Sequence, residues 1–401
     1  MKGWKEVRIG DLFEIKAGGD LQEANYSPCR TDHARWAIYA NSLENKGLYG
    51  YTSQPRYRGN AVTITGRGDI GHAEFRDDDF DAIVRLLVLL PKVDVDCRYI
   101  TYYINSFVHF PIESTGVPQL TAPKVKRIKI NLPQKAEQTA IANILSKVDE
   151  AIASVQNSIA AAERLKKSLM QNLLTGKMKP DGTFRTPEEF YIDENFGKVP
   201  IGWEVKSIDE ISDFVQYGLN ISSSDNGQIP MLRMNNIVNG EMSDSPLVYV
   251  NLNDQLLQQY ELEAGDILFN RTNSMDLVGK VGVFRLMGKY VFASYLIRVR
   301  VSKENNPYYI NLALNSYPIQ CSLRSKATPA VSQANINSKS LRHTQIFKPK
   351  KKDEQDLVMS KIEEVEHVIL QKNDKVKKLE QLKKSLMQNL LTGKIKIDKD
   401  I

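Results

Sequence analysis

The chain has 401 residues, 42% of them hydrophobic, and 54 Lys and Arg against 48 Asp and Glu, for a formal net charge of +6. That is enough apolar material for two or three domains with cores of their own, and the mild basicity permits a polyanionic partner without demanding one. No run approaches the roughly 18 apolar residues of a membrane span, and the scattered Cys29, Cys97 and Cys321 give neither a disulfide framework nor a C-x-x-C metal site, so a reducing cytoplasm is the expected compartment.

Residues 1–132 read as a first block. In it the strand-like runs Ala61 to Thr65 and Ile83 to Leu90 alternate with turn-rich segments at Asn45 to Gly47 and Arg67 to Asp69, the pattern of a mixed α/β globule with a twisted sheet. Two loops mix cations and aromatics: Tyr49 to Gly59, with Tyr51, Arg56 and Arg58, and Thr65 to His72, with Arg67 and His72. Arginine and lysine reach phosphates and guanine edges, amides reach adenine edges, and small residues let a backbone come close, so these residue types suit base reading from loops. Any one of them taken alone fits a solvated surface better than a base contact. The acidic cluster Asp77-Asp78-Asp79 with Asp81 reads as a solvated turn, because nothing equivalent occurs in the second half.

Residues 133–178 read as one long helix. Its apolar positions, Ile141, Leu145, Val148, Ile152, Val155, Ile159, Ala162, Leu165, Leu169 and Leu173, step by three and four with one slip, which is a coiled-coil seam. Pro133 stands before it and Gly176 after it, as start and stop signals.

Residues 179–349 repeat the α/β pattern, with strand-like runs at Asp266 to Phe269, Val281 to Phe284 and Tyr295 to Val301. Arg271, Asn273 and Ser274 in the loop from Asn270, with Lys280, Arg324 and Lys326, are the second set of candidate DNA-binding residues. Arg67 and Arg271 each follow the corresponding strand and a short turn. Asn306-Pro-Tyr-Tyr309 looks like an adenine-holding loop of amino-methyltransferases, but no glycine-rich cofactor loop accompanies it, and it reads as the start of a helix.

Residues 350–401 close the chain with a second long helix, whose seam Val358, Ile362, Val365, Ile369, Lys372, Val376, Leu379, Leu382, Leu386 and Leu390 has one Lys interruption. Leu165 to Lys177 (LKKSLMQNLLTGK) recurs unchanged at Leu382 to Lys394, and Glu137-Gln138 recurs at the same spacing as Glu354-Gln355. Upstream, Trp4, Ile9, Leu12 and Gly19 fall on Trp203, Ile208, Ile211 and Gly218. The chain is therefore a tandem duplication of a two-part module. A narrow apolar stripe this long needs a partner of equal length, and the other copy is the nearest, antiparallel if the halves obey a pseudo-twofold axis; a long bundle within one domain is the plainer alternative. A seam alone does not require the polar residues of the repeated phrase. Lys167, Gln171 and Asn172, with Lys384, Gln388 and Asn389, therefore suggest a surface on which one kind of partner docks twice.

These features resemble a known family, the specificity subunits of Type I restriction-modification systems. The resemblance rests on the order variable block, helix, variable block, helix, on the phrase LKKSLMQNLLTGK, on Gly197-Lys-Val-Pro-Ile-Gly-Trp203 as a G-x-[LIV]-P-x-x-W opening, and on Gly265-Asp-Ile-Leu268 as a G-D-[IL]-L core. The first block departs from it, with Trp4 lacking the G-x-x-P lead and Gly59-Asn-Ala61 in place of G-D-I. The resemblance implies target recognition domains at 1–132 and 179–349, conserved helical spacers at 133–178 and 350–401, and double-stranded DNA as a partner, each domain reading half of a bipartite asymmetric site. It also implies two methyltransferase subunits docked on the helices, restriction subunits held through them, and no membrane partner. No catalytic residue, cofactor or metal is expected in the chain. A coiled-coil scaffold whose globules bind proteins is the alternative.

Overall fold

The computed structural model describes residues 3–110, 118–274, 277–329 and 334–395. The chain forms two compact units, residues 1–158 with 372–401 and residues 159–371. The two long helices, Lys135–Leu174 and Lys352–Leu390, each contribute to both.

In the first unit four antiparallel strands lie in the order Phe13–Ala17, Leu87–Pro91, Ala61–Ile64, Ala73–Arg76. A second sheet holds Tyr26–Ser27, Leu48–Thr52, Trp36–Tyr39 and Phe80–Ala82, the last pair parallel. The second unit repeats this frame: Ser212–Tyr217, Leu296–Val301, Ile267–Asn270 and Val281–Val283 take the same order, extended by Glu241–Met242 and Ile237–Val238. Val248–Val250, Ile229–Leu232 and Val291–Phe292 form its second sheet, again ending on a parallel pair. Ile83 to Leu86, which the apolar run assigns to a strand, instead makes a tight turn closed by Leu86 N–H donating to Ile83 O, and the strand begins at Leu87.

The frames correspond strand by strand, and the sheet moves one pairing expected from the sequence. Gly18 N–H donates to Leu86 O and Gly218 N–H to Leu296 O, so Gly18, rather than Gly19, is the partner of Gly218. A bulge between Ser212 and Phe214 adds the extra residue. Both positions need glycine because a Cβ would meet backbone at 2.7 Å and 2.3 Å respectively.

Within the first unit the start of the first long helix runs antiparallel to the end of the second. Lys372 donates to Ser158 and Lys383 pairs with Asp149, so one number falls as the other rises, and Ile141 and Leu145 share a core with Leu390 and Leu391. Within the second unit Lys166 pairs with Glu366, and Leu173 and Leu174 share a core with Val358, Met359 and Ile362. The seam holds at every expected position but one per copy: Leu165 is 52% exposed and Leu382 48%. Two successive steps of three residues, at roughly 100° per residue, carry this position about 120° behind the stripe. The Lys372 interruption is accommodated by its bond to Ser158.

The repeated Glu-Gln pair fastens each helix start to its globule. Gln138 accepts from Asp96 N–H and donates to Pro133 O; Gln355 accepts from Asn306 N–H and donates to Pro349 O, and both are fully buried. Trp4 donates to Glu137 at 3.3 Å and Trp203 to Glu354 at 2.9 Å, each indole edge-on to a tyrosine, Tyr99 in the helix Cys97–Phe107 and Tyr309 in the helix Pro307–Leu314. Arg185, whose guanidinium also binds Gly176 O, adds a second donor to Glu354. Gln138→Ala and Gln355→Ala each strand a buried N–H, and each is expected to lower stability by about 2 kcal/mol in denaturant unfolding. Unchanged midpoints would mean that the latch is not needed.

Asn306 caps the helix Pro307–Leu314, accepting from Tyr308 N–H and Tyr309 N–H, as Asp96 caps Cys97–Phe107. The sequence Asn306-Pro-Tyr-Tyr309 is therefore a helix start.

Candidate nucleic-acid interface

In both units the loop after the third strand of the sheet order above is tied in the same way. Thr65 N–H donates to His72 O, and Asn270 N–H to Lys280 O; Leu120 N–H donates to Gly66 O, and Ile336 N–H to Arg271 O. His72 and Lys280 thus occupy the same place in the two frames. Arg67 and Arg271 do not: Arg271 corresponds to Gly66, one residue closer to the strand.

In the first unit Arg67 is half-buried, and its Nε has no hydrogen-bond partner among the described residues. His72 is 3.0 Å from Glu74. Arg56 turns inward, pairing with Asp81 at 2.5 Å and donating to Asp20 O and Ala82 O, and the hydrogen bond to Asp81 raises its guanidinium above the ordinary value. It braces these loops while the residue itself stays exposed. Arg58 is exposed and Tyr51 half-buried on the strand Leu48–Thr52; no described contact joins either to the Arg67 loop. The turn beside that loop was not singled out by charge or pattern. Val84 and Arg85 both adopt left-handed φ, +52° and +60°, and both are exposed. Asn41 fixes them, donating to Val84 O while accepting from Gly66 N–H. A β-branched residue in this conformation is strained, and only an over-determined surrounding holds it. Asp79 and Asp81 of the acidic cluster serve the fold, accepting from Gly59 N–H and from Arg56. Among the described residues no group of His, Cys, Asp or Glu is placed to hold a metal.

In the second unit Asn273 sits on the short strand Thr272–Asn273, which joins Ala334–Asn335 and Thr328–Pro329 in a small sheet. Its Oδ1 accepts from Ser274 N–H, and Ser274 and Lys280 are exposed. Arg324 is exposed near the end of the helix Tyr317–Ser325; Lys326 follows it and bonds Thr344 at 3.4 Å, and burial lowers the Lys326 ammonium. Arg271 lies over the Tyr217 ring, with 4.8 Å from its guanidinium carbon to the ring centroid. Burial opposes ionisation of that phenol, but the hydrogen bond from Ser338 and the Arg271 charge hold it below the ordinary value. The motif residue Asp266 is buried and binds Arg298 and Arg300, so it organises the sheet rather than the surface. Gly265 before it has φ +94°, and in the first unit Asn60 supplies the left-handed residue, at +55°.

Each unit also carries a groove between the long helices and the helix that follows its sheet, and the two grooves are built from corresponding residues. In the first unit a space of about 510 Å³ is lined by Ser106, Phe107, Ile152, Glu380, Lys383, Lys384, Met387 and Gln388. In the second, about 800 Å³ is lined by Ser316, Tyr317, Ile369, Glu163, Lys166, Lys167, Met170 and Gln171. Lys167, Gln171, Lys384 and Gln388 therefore face grooves. Asn172 and Asn389 do not line them; their carbonyls accept from Met178 N–H and Lys394 N–H at the helix ends.

The chain matches the model of the family described as "Type I restriction modification DNA specificity domain" over residues 1–164 and 200–383. It belongs to that family. It is 26% identical over 326 residues to the Type I restriction enzyme MjaVIII specificity subunit of Methanocaldococcus jannaschii, covering 76% of this chain and 71% of that one. It is 29% identical to the putative MjaX specificity subunit of the same organism, but over 51% of this chain and 50% of that one, so it spans about half the length of that relative. The S subunit of a Type I system from M. genitalium has the same fold, with TM-score 0.59 over 97% of this chain and 96% of that one at 16% identity. The resemblance read from the repeated phrase and the two motifs is thus matched by the family comparison, and the mixed α/β units with paired antiparallel helices agree with it.

Proposed function

We propose that this chain is the DNA-reading subunit of a Type I restriction-modification assembly. Residues 1–132 and 179–349 each read one half of a split, asymmetric site, and the helical blocks 133–178 and 350–401 set the spacing and dock two methyltransferase subunits. Restriction subunits join through the methyltransferases. The chain itself performs no chemistry; base flipping and methyl transfer belong to its partners. The observation that carries this reading is the pair of loops held by the same backbone hydrogen bonds yet bearing different side chains, Gly66 and His72 against Arg271 and Lys280. One frame with two sets of contacts is what two different half-sites require. The twin grooves support a partner that binds twice.

Arg67→Ala and Arg271→Ala test it. Each is expected to lower the preference for one half-site by on the order of tenfold and to leave the other unchanged. Equal losses on specific and random duplexes would reduce both residues to phosphate contacts. Binding that ignores both sequence and salt would favour the protein-binding scaffold, because DNA affinity falls steeply with salt. Labelled S-adenosylmethionine should transfer no methyl group to DNA when this chain is its only protein partner.

A further inference from the structure

Tyr217 ends the strand Ser212–Tyr217, and its phenol oxygen accepts from Ser338 N–H at 2.8 Å, which anchors the ring. Above that ring lies the Arg271 guanidinium, whose own backbone is fixed at both ends, its N–H donating to Tyr295 O and its carbonyl accepting from Ile336 N–H. The Arg271 Nε is buried without a hydrogen-bond partner, and among the described residues the guanidinium has no carboxylate or other acceptor. Only its distal nitrogens remain to reach outward.

The sister unit shows that the fold does not need this pair. With Gly18 matched to Gly218, Ala17 stands where Tyr217 stands; with Leu120 matched to Ile336, Gly66 stands where Arg271 stands. Both members of the stack are large in one unit and small in the other, on the same frame. Packing explains neither choice, and a contact made by the second unit alone explains both.

We propose that Tyr217 is a specificity-determining positioning residue that holds the Arg271 fork flat for a guanine in the half-site read by the second unit. This rests on the DNA-reading function proposed above. An aromatic face restricts a guanidinium to a plane, and a planar fork presenting two N–H groups matches the O6 and N7 acceptors of guanine.

The test uses the full-length chain and a set of duplexes in which each base pair of its site is replaced in turn. Tyr217→Phe keeps the ring and is expected to hold the preference within about twofold. Tyr217→Ala is expected to lose on the order of tenfold in preference for G·C at one pair of one half-site, with random-duplex affinity and salt dependence unchanged. Arg271→Lys, which keeps the charge and loses the fork, should lose the same preference at the same pair. Ala17 shows that the frame accepts the small residue, and a thermal melt checks that it does so here. If wild type is selective and Tyr217→Ala is equally selective, or weakens every duplex alike, the positioning role is overturned while DNA reading stands. If wild type itself binds all duplexes alike, the DNA-reading function falls, and this role with it.

Discussion

Charge reversal in the two grooves is expected to remove methyltransferase subunits from the chain one at a time. Lys384→Glu with Met387→Glu in the first unit should leave a complex carrying one subunit, and Lys167→Glu with Met170→Glu in the second should do the same. All four together should leave none. The reason lies in what each groove offers: an exposed lysine with no ion-pair partner among the described residues, beside a half-buried methionine. A carboxylate in place of that methionine must be desolvated on docking, and reversing the lysine turns attraction into repulsion, so a loss well above a hundredfold per groove is expected. The ion pairs Lys383–Asp149 and Lys166–Glu366, which hold the helices within each unit, are left intact. Light scattering of the purified complex reads the stoichiometry directly. Two methyltransferases still bound to the fourfold variant would remove the grooves from the docking surface.

Lengthening both long helices by one heptad is expected to lengthen the gap between the half-sites by about three base pairs. Seven residues at about 1.5 Å each add about 10.5 Å, and duplex DNA rises about 3.4 Å per base pair. The insertions belong after Ser158 and before Lys372, which are bonded to each other, so that the antiparallel register on either side is kept. A heptad also preserves the apolar seam. The connection from Lys177 to Arg185 is a poorer place for such an insertion. It folds back on itself, with Met178 bridged to Phe184 and Arg185 N–H donating to Lys177 O, so residues added at its tip would be absorbed there. An unchanged gap after the paired insertion would contradict a spacing role for the helices.

Much of this was legible because the duplication supplied an internal comparison. The seam from Ile141 to Leu173, the helix stops at Gly176 and Gly393 and the Trp4–Trp203 correspondence needed only periodicity and repetition. The exposure of Leu165 and Leu382 was implicit in two consecutive three-residue steps, which a list of apolar positions hides and an angular sum exposes. The bulge in the strand Ser212–Tyr217 was not legible, because a one-residue slip leaves composition unchanged, and it moved the match from Gly19 to Gly18. Val84 and Arg85 look like strand residues and become a turn only because Asn41, Gly18 and Gly19 satisfy their backbone. The candidate cations were found by residue type alone, which cannot tell Arg56, committed to Asp81, from Arg271, left with a ring and, among the described residues, no acceptor. The grooves arise where Cys97–Phe107 and Pro307–Leu314 meet the long helices, a tertiary event that no local pattern announces.

The most direct test of the central claim is methylation-aware sequencing of DNA from cells that express this chain with its methyltransferase subunit, compared with cells lacking the chain. One split, asymmetric motif carrying methyladenine in both halves, present only with the chain, is the expected result. Identical methylation in both cell lines, with the complex shown to form, would contradict it and turn the chain into a protein-binding scaffold.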